Sequence, residues 1–146
     1  MVKKNSFSMT VDSRSVNEGF VRSVVSTFAT VLDPTVEEIS DIKTAVSEVI
    51  TNCIVHAYPD TIGKIYINCD IEGNVLTVRI RDRGVGIPDV KKAMEPLYTT
   101  AGDERAGLGF AVMQSFMDCV RVRSKPEKGT TVVMKKYISV RYDNRR

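Results

Sequence analysis

The chain has 146 residues, which is long enough for one domain with a hydrophobic core that needs no disulfide or metal staple. Charged residues make up 27% and hydrophobic residues 42%, as in ordinary globular proteins, and the net charge of +3 is too small to predict a direct nucleic-acid partner. No stretch approaches the roughly 18 apolar residues of a membrane span, and no apolar run follows the N-terminal lysines, so we expect no membrane partner, no signal peptide and a cytoplasmic location.

The N-terminal part of the chain predicts a strand followed by a helix. Apolar and polar residues alternate over residues 7–11, which is typical of a half-buried strand. Ser15-Val16-Asn17-Glu18 has the pattern of a capping box, so a helix should begin there. Arg22 is expected on the solvent side of that helix, where it contacts water or a partner protein. The side chains expected to be buried are Phe20, Val24, Phe28 and Val31.

A second helix is predicted after Asp33-Pro34, which ends the first one. Thr35-Val36-Glu37-Glu38 is a second capping box. Glu48 and Asn52 are four residues apart and therefore lie together on one face. Such a face is usually only solvated, but asparagine has a modest helix propensity, which favours a function for Asn52. A structural role is expected for His56. The apolar face comprises Ile39, Ile42, Val46, Val49, Ile50, Cys53 and Ala57.

A β-hairpin follows, and its second strand ends in an acid and two glycines. Residues 65–71 and 76–80 each alternate around a turn at residues 72–74. Asp82 at the strand end can accept a hydrogen bond from an exocyclic amine such as adenine N6. Gly84 and Gly86 let the backbone approach a ligand closely. Taken alone, this pattern fits a tight turn as well as it fits a nucleotide site.

The remaining sequence predicts a polar surface loop over residues 96–106, a helix over residues 107–117 and a second hairpin over residues 120–137. The helix is expected to be apolar at Leu108, Ala111, Val112 and Phe116. We predict one domain over residues 1–138 and a short basic tail over 139–146. The fold class is α+β, a mixed, mainly antiparallel sheet covered on one face by helices. The three cysteines, Cys53, Cys69 and Cys119, are expected to be reduced core residues.

Three patterns in order carry a resemblance to a known family. They are Glu48-x-x-x-Asn52 on a helix, Asp82-x-Gly84-x-Gly86 after a strand, and Gly107-Leu108-Gly109 at a helix start. This order resembles the Bergerat-type ATP-binding sandwich of gyrase, MutL and the histidine kinases. When the sequence that flanks these patterns is included, roughly residues 5–137 resemble the small bacterial anti-sigma factor serine kinases, most closely those of sporulation.

The resemblance implies a site for ATP and Mg²⁺ between the helices and a lid. It implies that Glu48 is the general base, that Asn52 is the Mg²⁺ ligand and that Asp82 accepts from adenine. Arg105 on the lid is expected to pair with the γ-phosphate, although a surface ion pair explains it equally well from sequence alone. Further nucleotide contacts are expected at Gly84, Gly86, Thr99, Thr100, Gly107, Leu108, Gly109 and Thr130.

The function that follows from the resemblance is an anti-sigma factor with ATP-dependent serine kinase activity. A homodimer is expected to bind and inhibit a sporulation sigma factor and to phosphorylate a serine of its anti-anti-sigma antagonist. The single histidine lies beside the nucleotide pattern and no long heptad helix is present, so the phosphate should go to another protein. Two alternatives remain: the same chemistry in the general stress response, and a nucleotide-switched binding module without kinase activity.

Overall fold

Five strands form one sheet in the computed structural model, which describes residues 4–94 and 109–140. Each of the four strand pairs is antiparallel, in the order β1-β2-β3-β5-β4. The predicted α+β class is therefore confirmed, and no parallel pair occurs among the described strands. The strands are β1 (Lys4–Asp12), β2 (Lys64–Glu72), β3 (Val75–Asp82), β4 (Cys119–Lys125) and β5 (Gly129–Tyr137).

Helices cover one face of this sheet. The long pair lies side by side, and a short 3₁₀ turn, Thr30–Leu32, extends the first helix. The second helix is extended by a π turn, Cys53–Ala57. The helix was predicted, but the π turn was not. Within the described residues, no helix has the length and apolar character that crossing a membrane requires. The helices are α1 (Val16–Ala29), α2 (Val36–Asn52), α3 (Val90–Ala93) and α4 (Phe110–Phe116).

The two faces of the sheet follow from strict alternation along each strand. Side chains on the helix-covered face are buried on β2 and β3 and mostly half-buried on β1 and β4, whereas those on the other face are mostly polar and exposed. This alternation was predicted for the first hairpin and is confirmed by the burial and register of β2 and β3. The fully buried sheet residues are Ile65, Ile67, Cys69, Ile71, Leu76, Val78, Ile80 and Met134.

Helix α2 matches its predicted start and its predicted buried face. The Thr35 hydroxyl accepts from the Glu38 N–H at 3.0 Å, and the Glu38 carboxylate accepts from the Thr35 N–H at 2.8 Å. This capping box fixes the first turn, and its absence would cost roughly 1 kcal/mol. The buried side chains of α2 are Ile42, Ala45, Val46, Val49 and Ile50, and Ile39 is half-buried against them.

Helix α1 begins where predicted, but its capping box is absent and its buried face is different. Ser15 makes no side-chain cap because its own backbone is helical, and the Glu18 carboxylate accepts hydrogen bonds from Arg22 and Ser47 instead of returning to Ser15. Phe20 is 53% exposed, whereas the stripe that faces α2 contains the small residues Ser26 and Ala29. Small side chains let two helices approach closely, which favours burial of that stripe against α2. The buried residues of α1 are Val21, Val25, Ser26 and Ala29.

Helix α4 and the cysteines also differ in part from prediction. The described part of α4 begins at Phe110, and it buries Phe110 and Met113 rather than Val112, which is 42% exposed. All three cysteines are free thiols, as predicted. Cys53 and Cys69 are buried, but Cys119 is only half-buried because it points to the uncovered face of the sheet.

Candidate active site

A pocket of about 170 Å³ opens between α2, its π turn and the covered face of the sheet. Its walls are largely apolar, with a few polar groups directed to the space. This composition is typical of a small-molecule site. The lining residues are Val49, Asn52, Cys53, His56, Ala57, Ile80, Asp82, Gly86, Ile87, Pro88, Phe110, Thr130 and Val132.

Asp82 is a buried carboxylate at the floor of the pocket, with 5% of its surface exposed. Its Oδ1 accepts from the Gly84 N–H at 2.9 Å and from the Thr130 N–H at 3.2 Å. Its Oδ2 lies 3.5 Å from the Cys53 sulfur, which donates to it. Burial raises the pKa of the Asp82 carboxyl, and the bonds from Gly84, Cys53 and Thr130 oppose that rise. Oδ1 is thus occupied by backbone donors, while Oδ2 keeps lone pairs for a further donor.

The turn after Asp82 is held against the π turn by backbone contacts. The Val85 N–H donates to the Ala57 carbonyl at 3.0 Å, and the Tyr58 hydroxyl accepts from the Arg83 N–H at 2.6 Å. A Cβ on Gly84 would lie 2.2 Å from the Ala57 oxygen. The structure therefore places Gly84 at a close backbone contact, not on the pocket wall.

Gly86 lies at the pocket and cannot carry a side chain in its present conformation. Its φ is +78°, and an added Cβ would lie 2.0 Å from the Lys125 carbonyl oxygen. The backbone of this turn consequently packs directly on the end of β4. Gly86 brings the turn to the pocket edge, because a residue without a Cβ lets the backbone come this close.

Glu48 and Asn52 occupy successive turns of α2, about 6 Å apart along the axis. Asn52 lines the pocket together with Asp82. Glu48 lies beside the pocket against Gly109, where an added Cβ would come 2.1 Å from Glu48 Oε2. The structure thus brings the carboxylate of Glu48, the amide of Asn52 and the start of α4 to one edge of the site.

Thr130 is held by Ser124, a residue that no sequence pattern singled out. Ser124 accepts from the Ile87 N–H at 2.7 Å, contacts the Gly129 carbonyl at 2.9 Å and lies 2.8 Å from the Thr130 hydroxyl. It therefore ties β4 to the turn beyond Gly86 and to the pocket wall. The only sequence feature at Ser124 is its inward position in the alternation of β4.

Two residues that were expected to be structural also line the pocket, namely His56 and Cys53. Both belong to the π turn, which adds one residue to the last turn of the helix and changes which side chains face the sheet. The Tyr58 N–H donates to the Cys53 carbonyl at 3.1 Å and closes this wider turn. Burial raises the pKa of the Cys53 thiol well above its usual range, and the adjacent Asp82 adds to that rise.

Arg22 lies on the seam between α1 and α2 and is not purely solvated. Its guanidinium forms a salt bridge with Glu18 at 2.6 Å and donates to the Ser47 hydroxyl at 3.3 Å. Its side chain is still 40% exposed, so part of it remains accessible.

The described residues contain no cluster of metal-binding side chains, and five predicted site residues lie outside them. Across residues 4–94 and 109–140, no group of three or more His, Cys, Asp or Glu side chains could hold a metal. A Mg²⁺ ion bound through one amide oxygen, phosphates and water would not require such a group. The predicted site residues outside the described ranges are Thr99, Thr100, Arg105, Gly107 and Leu108.

A family comparison defines the class of this domain. The family model for the histidine kinase-like ATPase domain matches residues 10–136. A crystal structure of the RsbU and RsbW domains of a Mycobacterium tuberculosis protein has the same fold, with a TM-score of 0.66 and 17% identity. The similarity covers 92% of this chain and 32% of that longer one. The sheet, the helical layer and the pocket described above are thus those of a histidine kinase-like ATPase domain.

Curated relatives narrow the class. The anti-sigma F factor of Thermoanaerobacter sp. (strain X514) is 58% identical over 127 residues, which are 86% of this chain and 89% of the relative. The anti-sigma F factor of Caldanaerobacter subterraneus subsp. tengcongensis is 59% identical over the same shares of both chains. The anti-sigma F factor of Oceanobacillus iheyensis is 48% identical over 138 residues, covering 93% and 94%. The chain therefore belongs to the histidine kinase-like ATPase family, in the group whose curated members are named anti-sigma F factor.

Proposed function

We propose that this protein is an anti-sigma factor that inhibits the sporulation sigma factor sigma F and also acts as a serine kinase. In this proposal it transfers the γ-phosphoryl group of ATP to a serine of the anti-anti-sigma antagonist. The observation that supports it is the pocket that joins Asn52 to the buried carboxylate of Asp82, with Glu48 at its edge. The names of the curated relatives support the sigma-factor partner.

Asp82 is proposed to select the adenine ring. Its Oδ1 is occupied by two backbone N–H groups, so the carboxylate cannot rotate freely. A donor such as the adenine N6 amine can then bond to Oδ2. The apolar side chains of Ile80, Ile87 and Val132 line the pocket and would pack against the adenine ring.

Asn52 and Glu48 are proposed to serve the phosphate end of the nucleotide. ATP supplies the phosphoryl group, and Mg²⁺ neutralises part of its charge. Asn52 offers an amide oxygen, which is a ligand type that Mg²⁺ prefers. Glu48 would accept the proton of the attacking serine hydroxyl, a role that typically contributes about 10²- to 10⁴-fold to the rate.

The segment between α3 and α4 is proposed to supply the remaining contacts to the nucleotide. Arg105 would pair with the γ-phosphate and stabilise the charge that develops during transfer. Gly109 begins α4 beside Glu48, which is where a phosphate could meet free backbone N–H groups. The other proposed contacts from this part of the chain are Thr99, Thr100, Gly107 and Leu108.

Partner binding is proposed to involve a homodimer, with Arg22 as a contact residue. Glu18 holds the guanidinium of Arg22 at the surface of the α1–α2 seam. A fixed, partly exposed guanidinium is suited to bidentate recognition of a carboxylate.

The experiment that tests the kinase proposal compares two isosteric variants of α2. Glu48→Gln removes the proposed base, while Glu37→Gln removes an exposed carboxylate in the first turn of the same helix. Transfer of ³²P from ATP to the antagonist should fall at least about 100-fold in Glu48→Gln. It should stay within about twofold of wild type in Glu37→Gln, and ATP affinity by calorimetry should change little in either variant.

Other outcomes would reject parts of the proposal. Full transfer activity in Glu48→Gln would remove Glu48 as the base. If the wild type binds ATP tightly but transfers no phosphoryl group to the antagonist, the protein is a nucleotide-switched binding module instead.

A further inference from the structure

The face of the sheet opposite the helices has an uneven charge distribution. The outward positions of β3, β5 and β4 carry six cations and no aspartate or glutamate. The outward carboxylates of the described sheet lie on the other two strands, at Asp12 at the end of β1 and at Asp70 and Glu72 on β2. Because the whole chain has a net charge of only +3, this is a strong local concentration. We refer to it as the cationic half-face, formed by Arg79, Arg81, Arg121, Arg123, Lys125 and Lys135.

Four of these cations form a regular array. Arg79 and Arg121 both lie opposite Val133, and Arg81 and Arg123 both lie opposite Thr131. The two rows are about 6.7 Å apart along the strands, and the two columns are about 10 Å apart across β5. Uncharged Val133 and Thr131 thus form a lane between two pairs of arginines.

The arginines of this array are not neutralised within the part of the chain that the structure describes. Arg79, Arg121 and Arg123 form no ion pair there, and all are exposed. Arg81 lies over the Tyr66 ring at 4.9 Å, and Arg83 lies over the same ring at 5.0 Å. Four like charges held this close on a rigid sheet favour an anionic partner.

We propose that the cationic half-face binds an acidic, extended segment of a partner protein. Alternate residues of an extended peptide are also about 6.7 Å apart, so carboxylates at positions i and i+2 match the two arginine rows. Arginine binds carboxylates bidentately, and Val133 offers an apolar contact to the peptide in the lane. The face is on the opposite side of the sheet from the nucleotide pocket, so this inference is independent of the kinase proposal.

Two other occupants fit the observations less well. A second copy of this face would bring arginines against arginines, which is repulsive. Single-stranded nucleic acid usually requires aromatic rings on which bases stack. Tyr66 is already covered by two arginines, and Tyr137 lies beyond Lys135 at the end of the array.

The test uses labelled peptides and fluorescence anisotropy with the full chain. The probes are an alternating peptide of five Asp-Ser repeats, a ten-nucleotide oligothymidine, and a rearranged peptide of the same composition, Asp-Ser-Ser-Asp-Asp-Ser-Ser-Asp-Asp-Ser, in which no two aspartates are two positions apart. The alternating peptide should bind more tightly than the rearranged peptide, and its binding should weaken as salt is raised, because the contacts are exposed.

A double variant of the arginine array is compared with a control double variant that removes the same number of charges. Arg121→Gln/Arg123→Gln removes one side of the array, and Arg14→Gln/Lys43→Gln removes two exposed cations elsewhere. The first variant should lose at least about tenfold in affinity for the alternating peptide, and the second less than about twofold. Both should bind ATP as the wild type does, which reports that the fold is intact.

Equal losses in the two variants would overturn the proposal, because net charge alone would then explain binding. Tighter binding of oligothymidine than of the alternating peptide, lost in Arg121→Gln/Arg123→Gln, would replace it with a nucleic-acid site. No binding of the alternating peptide at low salt would also reject it.

Discussion

The covered and uncovered faces of the sheet share one backbone but present opposite chemistry. Along β3, Val78, Ile80 and Asp82 point to the helices, while Arg79 and Arg81 point away. The covered face places a carboxylate in an apolar pocket, and the other face places guanidinium groups in water. Alternation therefore lets one strand serve a nucleotide site and a charged surface, with neighbouring residues in unrelated environments. Substitutions at adjacent positions should then have very different effects.

The largest contrast is expected between Ile80→Ala and Arg79→Ala. Ile80 is 1% exposed and packs in the core, so its truncation should lower the free energy of unfolding by roughly 2–5 kcal/mol. Arg79 is exposed and forms no described ion pair, so its truncation should stay within about 0.5 kcal/mol of wild type. Urea unfolding measures both values. Similar losses in the two variants would show that the uncovered face is packed against something in solution.

An intermediate contrast is expected between two glycines with positive φ. Gly86→Ala meets the Lys125 carbonyl as well as an unfavourable φ, whereas Gly73→Ala meets nothing within 4 Å. Gly73→Ala should cost about 1 kcal/mol from backbone strain alone. Gly86→Ala should cost more than that and should also weaken ATP binding, because the turn must move away from the pocket. Calorimetry with ATP distinguishes the two variants. An unchanged ATP affinity in Gly86→Ala would show that this turn does not contribute to ATP binding.

The smallest effect concerns pH. Burial raises the pKa of Asp82 above its ordinary value of 3.8, so folding favours the protonated carboxyl. The unfolded chain then binds fewer protons than the folded one between 3.8 and the folded-state pKa, and the stability contribution of Asp82 falls as pH rises through that window. Asp82→Asn does not titrate. The difference in unfolding free energy, wild type minus Asp82→Asn, should therefore fall across the window, and a rising difference would contradict the burial.

The elements with local signals were predictable from the sequence. The capping box at Thr35 and Glu38 fixes the start of α2, and the alternation in β2 and β3 fixes which side chains are buried. The pattern around Asp82 placed a carboxylate and glycines at a strand end, where the pocket is found. Each of these features depends on residues within a few positions of one another.

The remaining features depend on contacts between distant segments. In α1 two adjacent stripes are apolar, and packing against α2 decides that Val21 is buried and Phe20 is not. The π turn after Asn52 has no local pattern, yet it brings His56 to the pocket. Ser124 acts through bonds to Ile87 and Thr130, which alternation in β4 does not reveal.

The claim that Asp82 recognises the adenine amine is tested most directly by a coupling measurement. Calorimetry would compare ATP with purine riboside triphosphate, which lacks the N6 amine, on the wild type and on Asp82→Asn. Because one charge-assisted hydrogen bond is lost, the wild type should bind ATP about tenfold more tightly than the analogue, and Asp82→Asn should show little or no such preference. An undiminished preference for ATP in Asp82→Asn would contradict the account.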